Sequence, residues 1–186
     1  MARKPGVKCG TFVALLRGVN VGGKNKLPMK LLSELLGKSG CGDVRTYIQS
    51  GNAVFRADPD QARRLEHEVP ALIQRAVGFA PPVVVRSASD MAAVVKNSPF
   101  PTQGENGPHV LILSTRPSQA QIAALDPMRS PGDRFVVRDR EIYLLIPGSI
   151  ADTKLTNAYF DSKLGTVSTG RNWRTVLTLL DMARSL

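Results

Sequence analysis

A chain of 186 residues with 42% hydrophobic content can bury a core without disulfides or a structural metal, which excludes the disulfide-stapled and disordered classes. Its two cysteines, Cys9 and Cys41, have no paired spacing and no secretory context, so both read as reduced thiols of a cytoplasmic protein. The net charge of +10 is concentrated: residues 1–56 carry ten Lys/Arg against Glu34 and Asp43, whereas residues 57–186 carry fifteen against thirteen acids. Such asymmetry predicts an anionic partner for the N-terminal half. No stretch approaches the length of a membrane span, so no membrane association is expected.

The first ten residues read as a flexible basic tail. Thr11–Arg17 is a continuous apolar run, the pattern of a strand buried on both faces. A loop over Gly18–Leu27 follows. Pro28 suits the first position of a helix whose face is Leu31, Leu32, Leu35 and Leu36. Asp43–Gln49 and Asn52–Arg56 read as strands joined by a tight Ser50-Gly51 link. A helix over 60–78 carries Pro70 in its middle, which predicts a kink or a split. Val83–Arg86 is the next strand. This β-α-β-β-α-β order predicts a ferredoxin-like unit over residues 11–87.

Residues 88–186 read as a second plait-like domain. Ser89-Asp90 caps a short helix, and Thr102–Pro108 is a loop. His109–Ser114 is a strand, Pro117 opens a helix, and Arg134–Val137 pairs with Glu141–Ile146 about Asp139-Arg140. Helices are expected at 153–164 and 171–184, the last one capped by Thr169 and burying Trp173, Val176, Leu177 and Leu180. The fold class is α+β, two ferredoxin-like alpha-beta plaits packed together.

The sharpest local signal is Gly18-Val-Asn-Val-Gly-Gly-Lys24-Asn25, which meets the Gly-x4-Gly-Lys part of a phosphate-binding loop. Asn25 stands where a magnesium-holding hydroxyl is required, and the helix begins too late to sit under phosphates, so an NTPase is set aside. A looser anion-binding loop built on the glycines with Asn20, Lys24, Asn25 and Lys26 survives beside the alternative of a long glycine turn with solvated lysines. A base-stacking RNA platform is disfavoured, because only Phe12 and Phe55 fall on the central strands. No metal spacing and no nucleophile motif is present, so no metal and no cofactor is expected. His67 reads as a solvated helix residue, and Cys41 as an inert loop thiol. Arg171 and Asn172 are placed at the N-terminus of the last helix, a position suited to anions.

Val13–Met29, Asp43–Asn52 with Phe55, Ser162–Gly165 and Arg171–Thr175 together resemble the domain-of-unknown-function 1697 family over almost the whole chain. The resemblance implies two alpha-beta plaits and carries no catalytic residue with it. This sequence departs from the family pattern at Ala53 and Gly170. The polar motif residues Arg17, Asn20, Lys24, Asn25, Gln49, Ser50, Asn52, Arg171 and Asn172 form the candidate ligand-binding set, since core packing does not require them. The loop after the first strand and the hairpin after the second are expected at opposite ends of the sheet, so one site or two remain open. The functional expectation is a binding module for an anionic partner, either nucleic acid or a phosphorylated small molecule. The alternative is an enzyme acting on a small phosphorylated or carboxylated substrate in an interdomain cleft. Either reading allows a homo-oligomer.

Overall fold

A computed structural model describes residues 9–103 and 107–186. The first eight residues of the basic tail, and residues 104–106 of the loop expected over Thr102–Pro108, lie outside the described residues. Eight strands and six helices are present among the described residues: β1 (Gly10–Leu16), α1 (Met29–Lys38), β2 (Gly42–Tyr47), β3 (Asn52–Ala57), α2 (Pro59–Val77), β4 (Val83–Ser87), α3 (Ala88–Lys96), β5 (His109–Leu113), α4 (Gln119–Ala123), β6 (Arg134–Arg138), β7 (Glu141–Leu145), α5 (Asn157–Leu164), β8 (Ser168–Arg171) and α6 (Trp173–Arg184). The fold is α+β, with two four-stranded antiparallel sheets ordered β2-β3-β1-β4 and β6-β7-β5-β8. The chain divides into two compact units, Met1–Asp90 with Leu179–Leu186, and Met91–Thr178.

In the first unit, β1 is central and Val13, Ala14, Leu15 and Leu16 are all buried, as the unbroken apolar run requires. Ala14, Leu16, Ala53 and Phe55 meet Leu32 and Leu36 of α1 and Leu65, Val69 and Ile73 of α2 in one core. Pro28 is the N-cap of α1 rather than its first helical residue, with extended dihedrals (φ −61°, ψ 133°) that leave Met29 to begin the helix. Asp58 caps α2 by accepting from the Gln61 N–H at 2.8 Å, Pro59 occupies the first turn, and Gly78 ends the helix at φ +85°. Pro70 does not split α2, which runs unbroken over 19 residues. Leu65 and Val69 before it and Ile73 after it are seated in the same core, and that burial outweighs one lost helical hydrogen bond.

The second unit places Leu111, Leu113, Ile142 and Leu144 of its sheet against Phe160 and Leu164 of α5. Its helices are shorter than expected: α4 spans five residues behind a Ser118–Gln121 capping box, and Thr156 caps α5. α3 is capped by Ser87, not Ser89, because the Asp90 N–H donates to Ser87 Oγ while the Ser87 N–H donates to Asp90 Oδ2, each at 3.0 Å. α6 buries Trp173, Val176, Leu179 and Leu180, and Leu177 stays half-buried.

The two sheets repeat each other down to single bonds. At the end of β1, the Leu16 N–H donates to Gly51 O at 2.8 Å and the Arg17 N–H to Pro82 O at 3.0 Å. At the end of β5, the Leu113 N–H donates to Arg140 O at 2.9 Å and the Ser114 N–H to Val167 O at 2.7 Å. No helix among the described residues is long and apolar enough to cross a membrane.

Candidate functional site

Between β1 and α1 the chain makes a small hairpin of its own. Val21 and Lys24 form an antiparallel bridge, the Lys24 N–H donates to Val21 O at 3.0 Å, and the Asn20 N–H donates to Asn25 O at 3.0 Å. Gly22 and Gly23 at the tip have φ +56° and +75°, the pair of left-handed residues that a type I′ turn demands. The glycine-lysine motif therefore forms the tip of a small hairpin. Val19 and Leu27, both fully buried, clamp the two roots of this loop into the core. Asn25 takes φ +52° and donates its side-chain amide to Gly18 O at 2.9 Å, closing the loop from within.

Asn20 does the joining. Its Nδ2 donates to Leu27 O at 2.9 Å and to Gln49 O at 2.7 Å, while its Oδ1 accepts from the Leu27 N–H at 2.9 Å. This corrects the expectation that the β1–α1 loop and the β2–β3 hairpin lie at opposite ends of the sheet. β1 is antiparallel to β3 with Leu15 opposite Asn52, so the end of β1 and the start of β3 share one end. The hairpin link is also longer than the Ser50-Gly51 pair, a turn over residues 48–51. Gly51, at φ +74°, passes under the loop so closely that a Cβ there would stand 2.6 Å from Val19 Cγ2 and 2.7 Å from Leu16 Cβ.

The candidate residues of this unit thus gather at one end and divide by role. Asn20, Asn25 and Asn52 build the end. Asn52 is buried and donates to Tyr47 O at 3.1 Å and to Ser50 Oγ at 2.9 Å. Lys24, Lys26 and Gln49 are exposed and Arg17 is half-buried. Lys24 and Lys26 form no ion pair among the described residues. No carboxylate occurs in residues 9–33 or 44–57. Asp43, Asp58, Asp60 and Asp90 stand at the opposite end of the sheet, where β2 begins and where β3 and β4 finish. Two apolar side chains are also presented here, Val21 at 65% exposure and Ile48 at 50%, the latter at φ +45°. A β-branched residue in the left-handed region is strained, and sequence patterning absorbed Ile48 into a strand instead.

Arg171 and Asn172 belong to the second unit and are not at a shared helix N-terminus. Ser168–Arg171 is an edge strand, β8, paired with β5 through Val110 opposite Arg171 and Leu111 opposite Gly170. Thr169 therefore lies in a strand and is buried, and it is Asn172 that caps α6, its Oδ1 accepting from the Thr175 N–H at 2.9 Å. The Arg171 guanidinium donates to Thr169 Oγ1 at 2.8 Å and Gly170 O at 2.7 Å, and burial lowers its pKa to about 10. Trp173 is core, as expected. Gly107 approaches its ring so closely that a Cβ would lie 2.5 Å from Cγ.

Of the other titratable residues, Cys41 is buried and its thiol is pushed up to about 12, first by burial and then by Glu68. A reactive thiolate there is excluded at neutral pH. His67 is exposed on α2, and burial lowers the pKa of His109 at the start of β5. No cluster of three metal-ligating side chains occurs among the described residues.

The family model described as "Protein of unknown function (DUF1697)" matches residues 10–143. The chain belongs to this family. A conserved bacterial protein from Streptococcus pneumoniae, of known structure, aligns with a TM-score of 0.70 and 21% identity, covering 95% of this chain and 99% of that one. That likeness carries the fold. No curated protein matches the sequence. For this DUF1697 chain, any functional assignment therefore rests on the geometry of its own loops.

Proposed function

We propose that each unit is a ferredoxin-like plait and that the protein is a nucleic-acid-binding module, engaged through the cationic end of its first sheet. The strand orders β2-β3-β1-β4 and β6-β7-β5-β8, each with β-α-β-β-α-β succession, support the plait reading. The observation that carries the binding reading is how each unit ties its β–α loop to its hairpin turn. In the second unit the tie is an ion pair, Arg116 Nε to Asp139 Oδ1 at 2.8 Å. In the first unit it is a neutral amide, Asn20 to Gln49 O, which leaves Lys24 and Lys26 uncompensated at the same junction.

The form of the end favours an extended polyanion. Its cations Lys24 and Lys26 are exposed loop residues, an arrangement suited to successive phosphates rather than a single buried group. Val21 and Ile48 add apolar tips of the kind that contact bases or sugars while lysines hold the backbone. Fluorescence polarisation with labelled single- and double-stranded DNA and RNA oligonucleotides tests the reading. Binding is expected at low salt, with affinity falling by orders of magnitude as salt rises, because phosphate contacts release counterions. No binding to any of the four probes at protein concentrations on the order of 10 μM and low salt would overturn it.

A further inference from the structure

The second unit contains a cavity that the nucleic-acid reading does not use. It lies where the helical cover of the sheet is short. In chain order α5 is the counterpart of α2, yet it runs eight residues where α2 runs nineteen. Eight helical residues rise about 12 Å, less than the roughly 17 Å of a five-residue strand. Beside Asn157, the first residue of α5, there is a cavity of about 380 Å³, within the size range of small-molecule sites. Leu111, Leu144 and Leu155 of the unit's core form its apolar floor, and Ile150, half exposed, stands at the opening.

No charge faces this space. Neither Asp, Glu nor Lys lines it. Arg171 borders it in the chain, but strand alternation puts its side chain with Thr169 and Val110 on the other face of the sheet, where its guanidinium donates to Thr169 Oγ1. Most of the polar lining is already engaged by the fold. Thr153 Oγ1 donates to Asp133 Oδ2, Thr156 Oγ1 accepts from the Tyr159 N–H, Asn157 Nδ2 donates to Ser168 Oγ, and Asn172 Oδ1 accepts from the Thr175 N–H. His109 differs. It opens β5 on the same face as Leu111, opposite Leu144, and its imidazole has no hydrogen-bond partner among the described residues. Burial lowers its pKa, so the ring is neutral at pH 7 and offers one N–H and one lone pair.

From the apolar floor, the absence of a facing charge and the unengaged imidazole, we infer that the second unit holds a small-molecule site of its own for an uncharged hydrocarbon bearing a hydroxyl, a medium-length alcohol being the simplest case. The aliphatic tail gains by leaving water against Leu111, Leu144 and Leu155. The hydroxyl both donates and accepts, so it can meet whichever nitrogen His109 presents. A carboxylate or ammonium head would give up its hydration with no opposite charge in return.

The test is an NMR titration of the full chain at neutral pH with three matched probes, 1-hexanol, hexanoate and hexylammonium, followed at the backbone amides and at the imidazole nitrogens. 1-Hexanol is expected to saturate and to shift amides of the lining, among them His109 and Leu144. Both charged probes should bind about tenfold more weakly or worse. The chain has two histidines, and the second serves as an internal control. The ring nitrogens of His109 should shift with 1-hexanol, whereas those of His67, exposed on α2, should stay where they are. His109→Phe keeps a ring but removes both nitrogens, and should weaken 1-hexanol about tenfold. If that variant fails to fold, the ring-nitrogen shifts of the parent chain decide the same point. Hexanoate or hexylammonium binding as tightly as 1-hexanol overturns the uncharged assignment. An unmoved His109 ring under saturating 1-hexanol overturns its part in holding the head group. Shifts confined to residues outside the cavity, or no saturation by any probe below about 10 mM, overturn the site.

Discussion

The two units solve one structural problem in two ways. Each must hold the loop after its first strand against the turn between its second and third strands. The second unit spends five residues, 114–118, on that loop and a two-residue turn, Asp139-Arg140, with an exposed ion pair between them. The first unit spends twelve residues, 17–28, and a four-residue turn, 48–51, with a buried-root hairpin and an asparagine that makes three backbone bonds. The second unit shows that the topology closes without the longer loop. The extra residues of the first unit, with their lysines and exposed Val21 and Ile48, are thus free to serve something other than the fold.

The comparison breaks most severely at Gly51. Gly51→Ala forces a Cβ into Val19 and Leu16 at a left-handed φ, where the strain and overpacking together should cost about 2–4 kcal/mol. Urea denaturation measures this directly. A loss below about 0.5 kcal/mol would mean that the loop is not seated as described. Asn20→Ala comes next. It removes three hydrogen bonds and leaves the N–H of the buried Leu27 without its acceptor, for an expected loss of about 2–3 kcal/mol. Oligonucleotide affinity should fall with it, because the loop and turn no longer form one surface.

Arg116→Ala sharpens the same comparison from the other side. Its partner Asp139 is exposed and the pair is screened by solvent, so stability should change by less than about 1 kcal/mol. A larger loss than that of Asn20→Ala would reverse the ranking of the two ties. Smallest of all is the effect of pH on Cys41. Its thiol pKa is raised to about 12, so it stays protonated throughout the ordinary range, while Cys9 is exposed. A thiol reagent at pH 8 should modify one cysteine in the native protein and two after unfolding.

The sequence carried the strand and helix order because long apolar runs and capping residues are local signals. Val13–Leu16 and the Leu32–Leu36 face each state their own structure, whereas the Asp58 cap and Pro59 of α2 lie ahead of the helix expected over 60–78. β8 was not legible: Ser168-Thr-Gly-Arg171 has no β-branched alternation, and it becomes a strand only because β5 offers an unpaired edge. Asn20 and Lys24 were legible as unusual residues, but not in their roles. Whether an asparagine faces a ligand or a backbone carbonyl depends on a partner 29 residues away, which no local pattern encodes. The placement of the two loops at one end could have been derived from the antiparallel pairing of β1 with β3, and the topology corrects it without further input. His109 and Asn157 came together in the second unit only through tertiary contact.

The uncompensated lysines of the first unit's loop, Lys24 and Lys26, are the residues proposed to meet phosphates. The direct measurement is the salt dependence of oligonucleotide affinity for the parent chain, for Lys24→Gln with Lys26→Gln, and for Lys38→Gln at the far end of α1. If both loop lysines contact phosphates, the double variant should lower the slope of log affinity against log salt by about 1.5, with stability changed by less than about 0.5 kcal/mol. Lys38→Gln should leave the slope where it was. An unchanged slope in the loop variant, or an equal change in the Lys38 control, would contradict the assignment of this end of the sheet as the binding surface.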